Sequence, residues 1–205
     1  MTDTVVYRQT KGDAAALWSF MVAGVAIIAL AVVFAVVRIV QVLPNRDLVV
    51  AATFAGTTAQ APLGPEGAMT TVRLDSAEIT VDQLPLASLW ALVLQQAVGA
   101  LAILVVVGCL LWLAVSVLKG TVFSRTNTVL VSTAGLTALV GWAVWSLFGT
   151  MVSNGALARI SDRSFDGAVM SITPLPYVLG GFATAIVATA FAVGDRMRRD
   201  TAGLV

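Results

Sequence analysis

The distribution of charge constrains this chain more than any other property of it. Asp, Glu, Lys and Arg are missing from four long runs: Ala14–Val37 (24 residues), Gln83–Leu118 (36), Thr126–Ala158 (33) and Gly167–Gly194 (28). A helix rises about 1.5 Å per residue, so about 20 apolar residues cross a hydrocarbon core of about 30 Å. Every run passes that length. Lipid offers no partner to backbone N–H and C=O groups, so a crossing segment must satisfy them within itself, as a helix does. Composition agrees. Charged residues make up 11% and apolar residues 59% of the 205 positions, where soluble domains carry about 25% charge. The fold expected is an all-α membrane protein, a single four-pass domain over 1–205. Its transmembrane helices are placed at about 16–38, 90–118, 128–152 and 176–194, with a small extracytoplasmic β-rich loop, 44–85, between helices 1 and 2.

The first run holds twelve Leu, Ile, Val or Phe residues between Leu17 and Val37. It is longer than the roughly 7–15-residue core of a cleaved signal peptide and reads as an uncleaved anchor. The second run is too long for one upright crossing, because its 36 residues make about 54 Å of helix. Counting back from Lys119 puts its hydrocarbon span at Ala97–Val117 and leaves Gln95 and Gln96 at an interface. The alternative for the two glutamines is a buried interhelical hydrogen bond. Trp142 and Trp145, one turn apart in the third run, read as an interfacial aromatic belt. In the fourth run Gly180, Thr184 and Ala188 repeat every four residues, as do Gly181, Ala185 and Thr189. Small side chains at that spacing let helices approach closely, so this helix is expected to pack within the bundle more than it faces lipid.

Cytoplasmic flanks of membrane helices carry an excess of Lys and Arg. With both termini and the second loop on one side, that side holds seven: Arg8, Lys11, Lys119, Arg125, Arg196, Arg198 and Arg199. The other side holds Arg46, Arg73, Arg159 and Arg163, with Arg38 able to snorkel there. The expectation is therefore a cell-membrane protein with cytoplasmic N- and C-termini.

The outer loop opens with a β-leaning run, Leu48–Phe54, followed by the turn sequence Pro62–Gly67. Thr71–Val81 then alternates, but Val72 and Leu74 stand in one phase and Ile79 and Val81 in the other. The shift near Ser76-Ala77 predicts a turn or bulge. A sheet of two or three strands is expected, leaning on the membrane because it is too small to own a core. On the inner side, Gly120 suits the position just past a helix end, and Ser124, Thr126 or Asn127 can cap the next helix. Phe123 is expected to dip into the interface.

The inner loop carries Gly120, Phe123, Ser124 and Asn127 in the pattern G-x-x-F-S-x-x-N, and the chain closes on Phe191, Gly194, Met197, Asp200, Leu204 and Val205 as F-x-x-G-x-x-M-x-x-D-x-x-x-L-V. Both motifs, with the four spans and the outer loop, resemble a bacterial four-helix membrane family known as domain of unknown function 2975. That family's tail often has a glutamate near the last turn, which this chain lacks. The resemblance implies a membrane protein that communicates with a cytoplasmic partner such as a small helix-turn-helix regulator.

Chemistry is sparse. There is no histidine, which removes the commonest general base and metal ligand. The uncharged runs hold no intramembrane carboxylate of the kind that pumps use. No nucleophile has a visible base, and neither a cofactor motif nor a metal-ligand cluster is present. Cys109 lies in an apolar run and reads as a small hydrophobe. A net charge of +1 gives no pull toward nucleic acid. The function expected is that of a non-catalytic membrane protein that senses, anchors or regulates a protein partner. A subunit of a small-molecule transporter or oligomeric pore is the alternative. Gly120, Phe123, Ser124, Asn127, Gly194, Leu204 and Val205 are the candidate docking residues.

Overall fold

A computed structural model describes residues 11–161 and 174–202 as four α-helices and one antiparallel hairpin. The order is α1 (Lys11–Val42), β1 (Leu48–Ala61), β2 (Thr70–Val81), α2 (Leu86–Leu118), α3 (Arg125–Ile160) and α4 (Pro174–Ala202). Arg8, Arg163, Leu204 and Val205 lie outside the described residues. All four helices are long and apolar enough to cross a membrane, their most apolar stretches having mean hydropathies of 3.0, 2.9, 1.6 and 1.8 in chain order. Their surfaces tell the same story, because large apolar side chains such as Trp18, Phe34, Leu101, Leu136 and Phe182 stand exposed. Water penalises such surface by about 25 cal/mol per Å², and lipid does not. These are the features of a membrane protein.

By its contacts the chain divides into two compact units. One comprises Met1–Val33, Ala100–Val140 and Leu175–Val205, and the other Phe34–Gly99 and Gly141–Pro174. The second unit contains the hairpin and a true core. Val42, Leu48, Val50, Val81, Leu84, Leu89, Leu92, Val152 and Ala156 are buried together, with Ile79 and Phe148 packed against them. This corrects the expectation of a sheet without a core that leans on the membrane. The reason is helix length. α2 and α3 run 33 and 36 residues, about 50 and 54 Å, and their surplus turns supply the apolar surface on which the hairpin folds.

The strands pair from Leu48↔Val81 to Ala61↔Thr70, with one break between Thr53 and Thr57. There Phe54, Ala55 and Gly56 face Asp75 alone, and Gly56 takes a φ of 72° that favours glycine. The phase change read from Thr71–Val81 is thus a bulge, with its extra residues on the partner strand. Asn45 anchors the base of the hairpin. Its side chain donates to the Leu84 carbonyl at 3.0 Å and accepts from the Leu84 N–H at 2.9 Å.

In the first unit α4 packs along one narrow face. Tyr177, Gly180, Gly181, Thr184, Ala188, Phe191 and Gly194 are its half-buried positions, at helical spacing. Thr184 lies over Gly135, and Gly180 faces Leu139. Of the two small-residue rows, Gly180–Thr184–Ala188 is the packed one, and Ala185 and Thr189 are exposed. The expectation that α4 lies mostly inside the bundle is corrected, since Val178, Leu179, Phe182, Ile186 and Val187 are all exposed. A stripe of small residues specifies one close crossing, and the large residues around it take no part in that contact.

Candidate functional site

The inner loop is held from both ends. α2 finishes in a Schellman motif: Gly120 has a φ of 75°, the Gly120 N–H donates to the Val117 carbonyl at 2.9 Å, and the Thr121 N–H donates to the Ser116 carbonyl at 3.0 Å. Only glycine adopts that backbone easily. The side chains of Ser116 and Thr121 reinforce the turn, each donating to the other's carbonyl, at 2.9 and 3.1 Å. α3 begins under Ser124, whose Oγ accepts from the Asn127 N–H at 3.2 Å. Ser124 is therefore the cap among the three candidates.

Asn127 is fully buried, and its Nδ2 donates to the carbonyls of Thr121 and Val122, both at 2.7 Å. Two acceptors facing one amide fix which end is the nitrogen. The aspects of the motif thus divide by job: glycine ends a helix, serine starts the next, and asparagine ties the loop between them.

Phe123 does the remaining work. Its ring lies over Gly194, where any Cβ would collide with it, and meets the Phe191 ring at 5.7 Å between centroids with a tilt of 58°. The two motif segments, far apart in sequence, therefore meet through Phe123, Phe191 and Gly194. Phe123 packs on α4 with 41% of it exposed. Asn127 and Gly194 face inward and are not themselves presented to a partner. Leu204 and Val205 lie outside the described residues.

Next to Gly194 stands Asp195, a buried carboxylate that sequence reading passed over. Arg199 reaches it at 2.7 Å and Arg198 at 3.9 Å. Spacing of three and four residues on a helix was the available signal. A cleft of 620 Å³ is lined by residues of α2, the inner loop, α3 and α4, including Lys119 and Arg198.

A second polar cluster lies in the hairpin-bearing unit. Gln95 is buried and donates to the Trp145 carbonyl at 3.1 Å, so the interhelical hydrogen bond is formed. Gly149 makes this possible, because a Cβ there would sit 2.8 Å from the Gln95 amide nitrogen. Ser88 repeats the device, donating to the Met151 carbonyl at 3.3 Å beside Gly155. Arg38 donates to the Val49 carbonyl at 2.7 Å and lines a 390 Å³ cleft with Gln95, Gln96, Ser146 and Thr150. Trp142 and Trp145 stack at 5.9 Å, and Trp145 also covers Gly99.

Comparisons with protein-family models, with curated proteins and with solved structures return no match. The resemblance noted above rests on its two short motifs.

Proposed function

We propose that this chain is a non-catalytic four-pass protein of the bacterial cell membrane, with both termini cytoplasmic, that docks a protein partner on its cytoplasmic face. The observation that carries the reading is the seating of Phe123 on Gly194 and Phe191, which makes one surface of the inner loop and the end of α4. Val122, Phe123 and Met197 are exposed in these segments, as are Arg125 and Arg196. Exposed apolar groups with cations in the same two segments suit a partner that offers apolar and acidic groups together. The motif resemblance to the family of unknown function 2975 supports this reading and makes a small helix-turn-helix regulator the partner class to seek.

A photocrosslinking residue at Met197 in native membranes should capture a discrete partner, and one at Leu63 in the hairpin turn should not. Gly194→Leu unseats Phe123 and should abolish capture while membrane insertion persists; removal of 201–205 tests Leu204 and Val205 in the same assay. No capture at Met197, or the same capture from Leu63, contradicts docking. Capture of a transport ATPase would replace it with the transporter-subunit reading.

A further inference from the structure

We propose that the 390 Å³ cleft of the hairpin-bearing unit binds a small organic monocarboxylate that carries an apolar group. Every residue that lines this cleft belongs to that one unit. Two helix faces and a strand build it. Leu92, Gln95 and Gln96 stand three and four residues apart on α2, as do Trp145, Gly149 and Val152 on α3, and positions so spaced share a face. β1 contributes Val50, Ala51 and Thr53, and Arg38 joins them from the last turns of α1.

The charge in the cleft is positive. Arg38 is half-buried, and its guanidinium donates to the Val49 carbonyl at 2.7 Å, a neutral acceptor that leaves the charge unbalanced. Among the described residues the ion pairs are those of Arg73, Arg198 and Arg199, so no carboxylate there pairs with Arg38. Glu78, across the sheet from Ala51, is exposed and forms no ion pair with it. The remaining N–H groups of a guanidinium suit the two oxygens of a carboxylate. Hydrogen-bonding capacity is open as well. The Gln95 amide is oriented by its bond to the Trp145 carbonyl, and no donor among the described residues meets its Oε1. The Gln96 amide and the Ser146 hydroxyl have no hydrogen-bond partner among the described residues either. Val50, Leu92 and Val152 are buried and give the cleft apolar walls. One guanidinium balances a monoanion, and buried apolar walls call for a hydrocarbon or ring attached to it. A phosphate dianion would keep one charge unanswered. The inference goes beyond partner docking and does not rest on it, because the inner loop and α4 supply none of these groups.

The test is equilibrium dialysis of radiolabelled benzoate against the purified full chain in phosphatidylcholine nanodiscs, with empty nanodiscs subtracted. Binding should saturate at a single benzoate per chain, and unlabelled hexanoate should compete for it. Benzamide has the ring without the charge, and acetate has the charge without the apolar group. Each should compete at least about ten-fold more weakly than benzoate, and inorganic phosphate should not compete. Arg38→Gln and Gln96→Glu should each abolish binding, the second by adding a carboxylate while Arg38 stays. Arg38→Lys keeps the charge without the fork and should weaken benzoate about ten-fold. Arg159→Gln, at the exposed end of α3, should change nothing. Thermal unfolding of every variant checks that the fold persists. A parent chain without saturable binding overturns the proposal, as does equal competition by benzamide, acetate or phosphate. Binding that survives in Gln96→Glu, or is lost in a folded Arg159→Gln, overturns it too. Displacement of benzoate when phosphatidylserine is added to the nanodiscs assigns the cleft to a lipid headgroup and overturns it as well.

Discussion

Glycine at a helix crossing is defined by what lies opposite it, and four of the helical glycines show how sharply this differs. Gly155 faces the Ser88 side chain and Gly135 faces Thr184, in both cases including the rigid Cβ as well as the hydroxyl. Gly180 faces the flexible end of Leu139 at 2.9 Å, and Gly108 faces nothing. A single methyl group therefore has three different consequences. Gly155→Ala and Gly135→Ala should destabilise by about 1–3 kcal/mol, because rigid groups must move. Gly180→Ala should be milder, since Leu139 can rotate away. Gly108→Ala should stabilise by up to about 1 kcal/mol through helix propensity. Thermal unfolding in detergent reads the order directly. Equal effects at all four positions would mean that these crossings are not formed. Small residues every four positions were visible in α4 from the sequence, but their partners were not, since Gly135 and Thr184 belong to different runs.

At the scale of elements, the base of the hairpin is tied by hydrogen bonds as well as by its apolar core. Asn45, at a φ of 51°, joins Leu84 through both ends of its amide, and the Asp47 N–H donates to the Asp82 carbonyl at 3.1 Å. Asn45→Ala removes two hydrogen bonds of about 1 kcal/mol each and a side chain that tolerates the left-handed backbone. Asn45→Asp keeps the acceptor and sets a carboxylate against the Leu84 carbonyl. Both substitutions should speed amide exchange across Leu48–Val50 and Ile79–Val81, and neither should affect α4. Unchanged exchange at these strands would show that apolar packing alone closes the hairpin. The helices were legible because runs without charge have one reading at that length. The strands and their bulge were legible from alternation and its phase change. What could not be read was the core beneath them. Leu89 and Val152 sit in runs already explained by lipid, and nothing in an apolar run says which of its faces meets protein. The Gln95 hydrogen bond could not be chosen for the same reason: counting residues against a bilayer thickness says nothing of which helix a side chain meets.

At the scale of the whole molecule, the candidate site was legible as two motifs and illegible as one cluster. Gly120 and Ser124 announce their roles locally, because helix ends make demands that few residues meet. Phe123 on Gly194 could not be foreseen, since an aromatic ring beside an interface has lipid as an equally good destination. The four membrane-length helices are the foundation for everything proposed above, and the side on which each loop emerges is the claim to test first. In a Cys109→Ala background, which removes the single native cysteine, Leu63→Cys marks the exposed hairpin turn and Val122→Cys marks the inner loop. Intact cells are treated with a membrane-impermeant maleimide, then permeabilised and treated again. The account predicts that Leu63→Cys reacts in intact cells and Val122→Cys only after permeabilisation; reaction of both in intact cells, or of Val122→Cys alone, contradicts it.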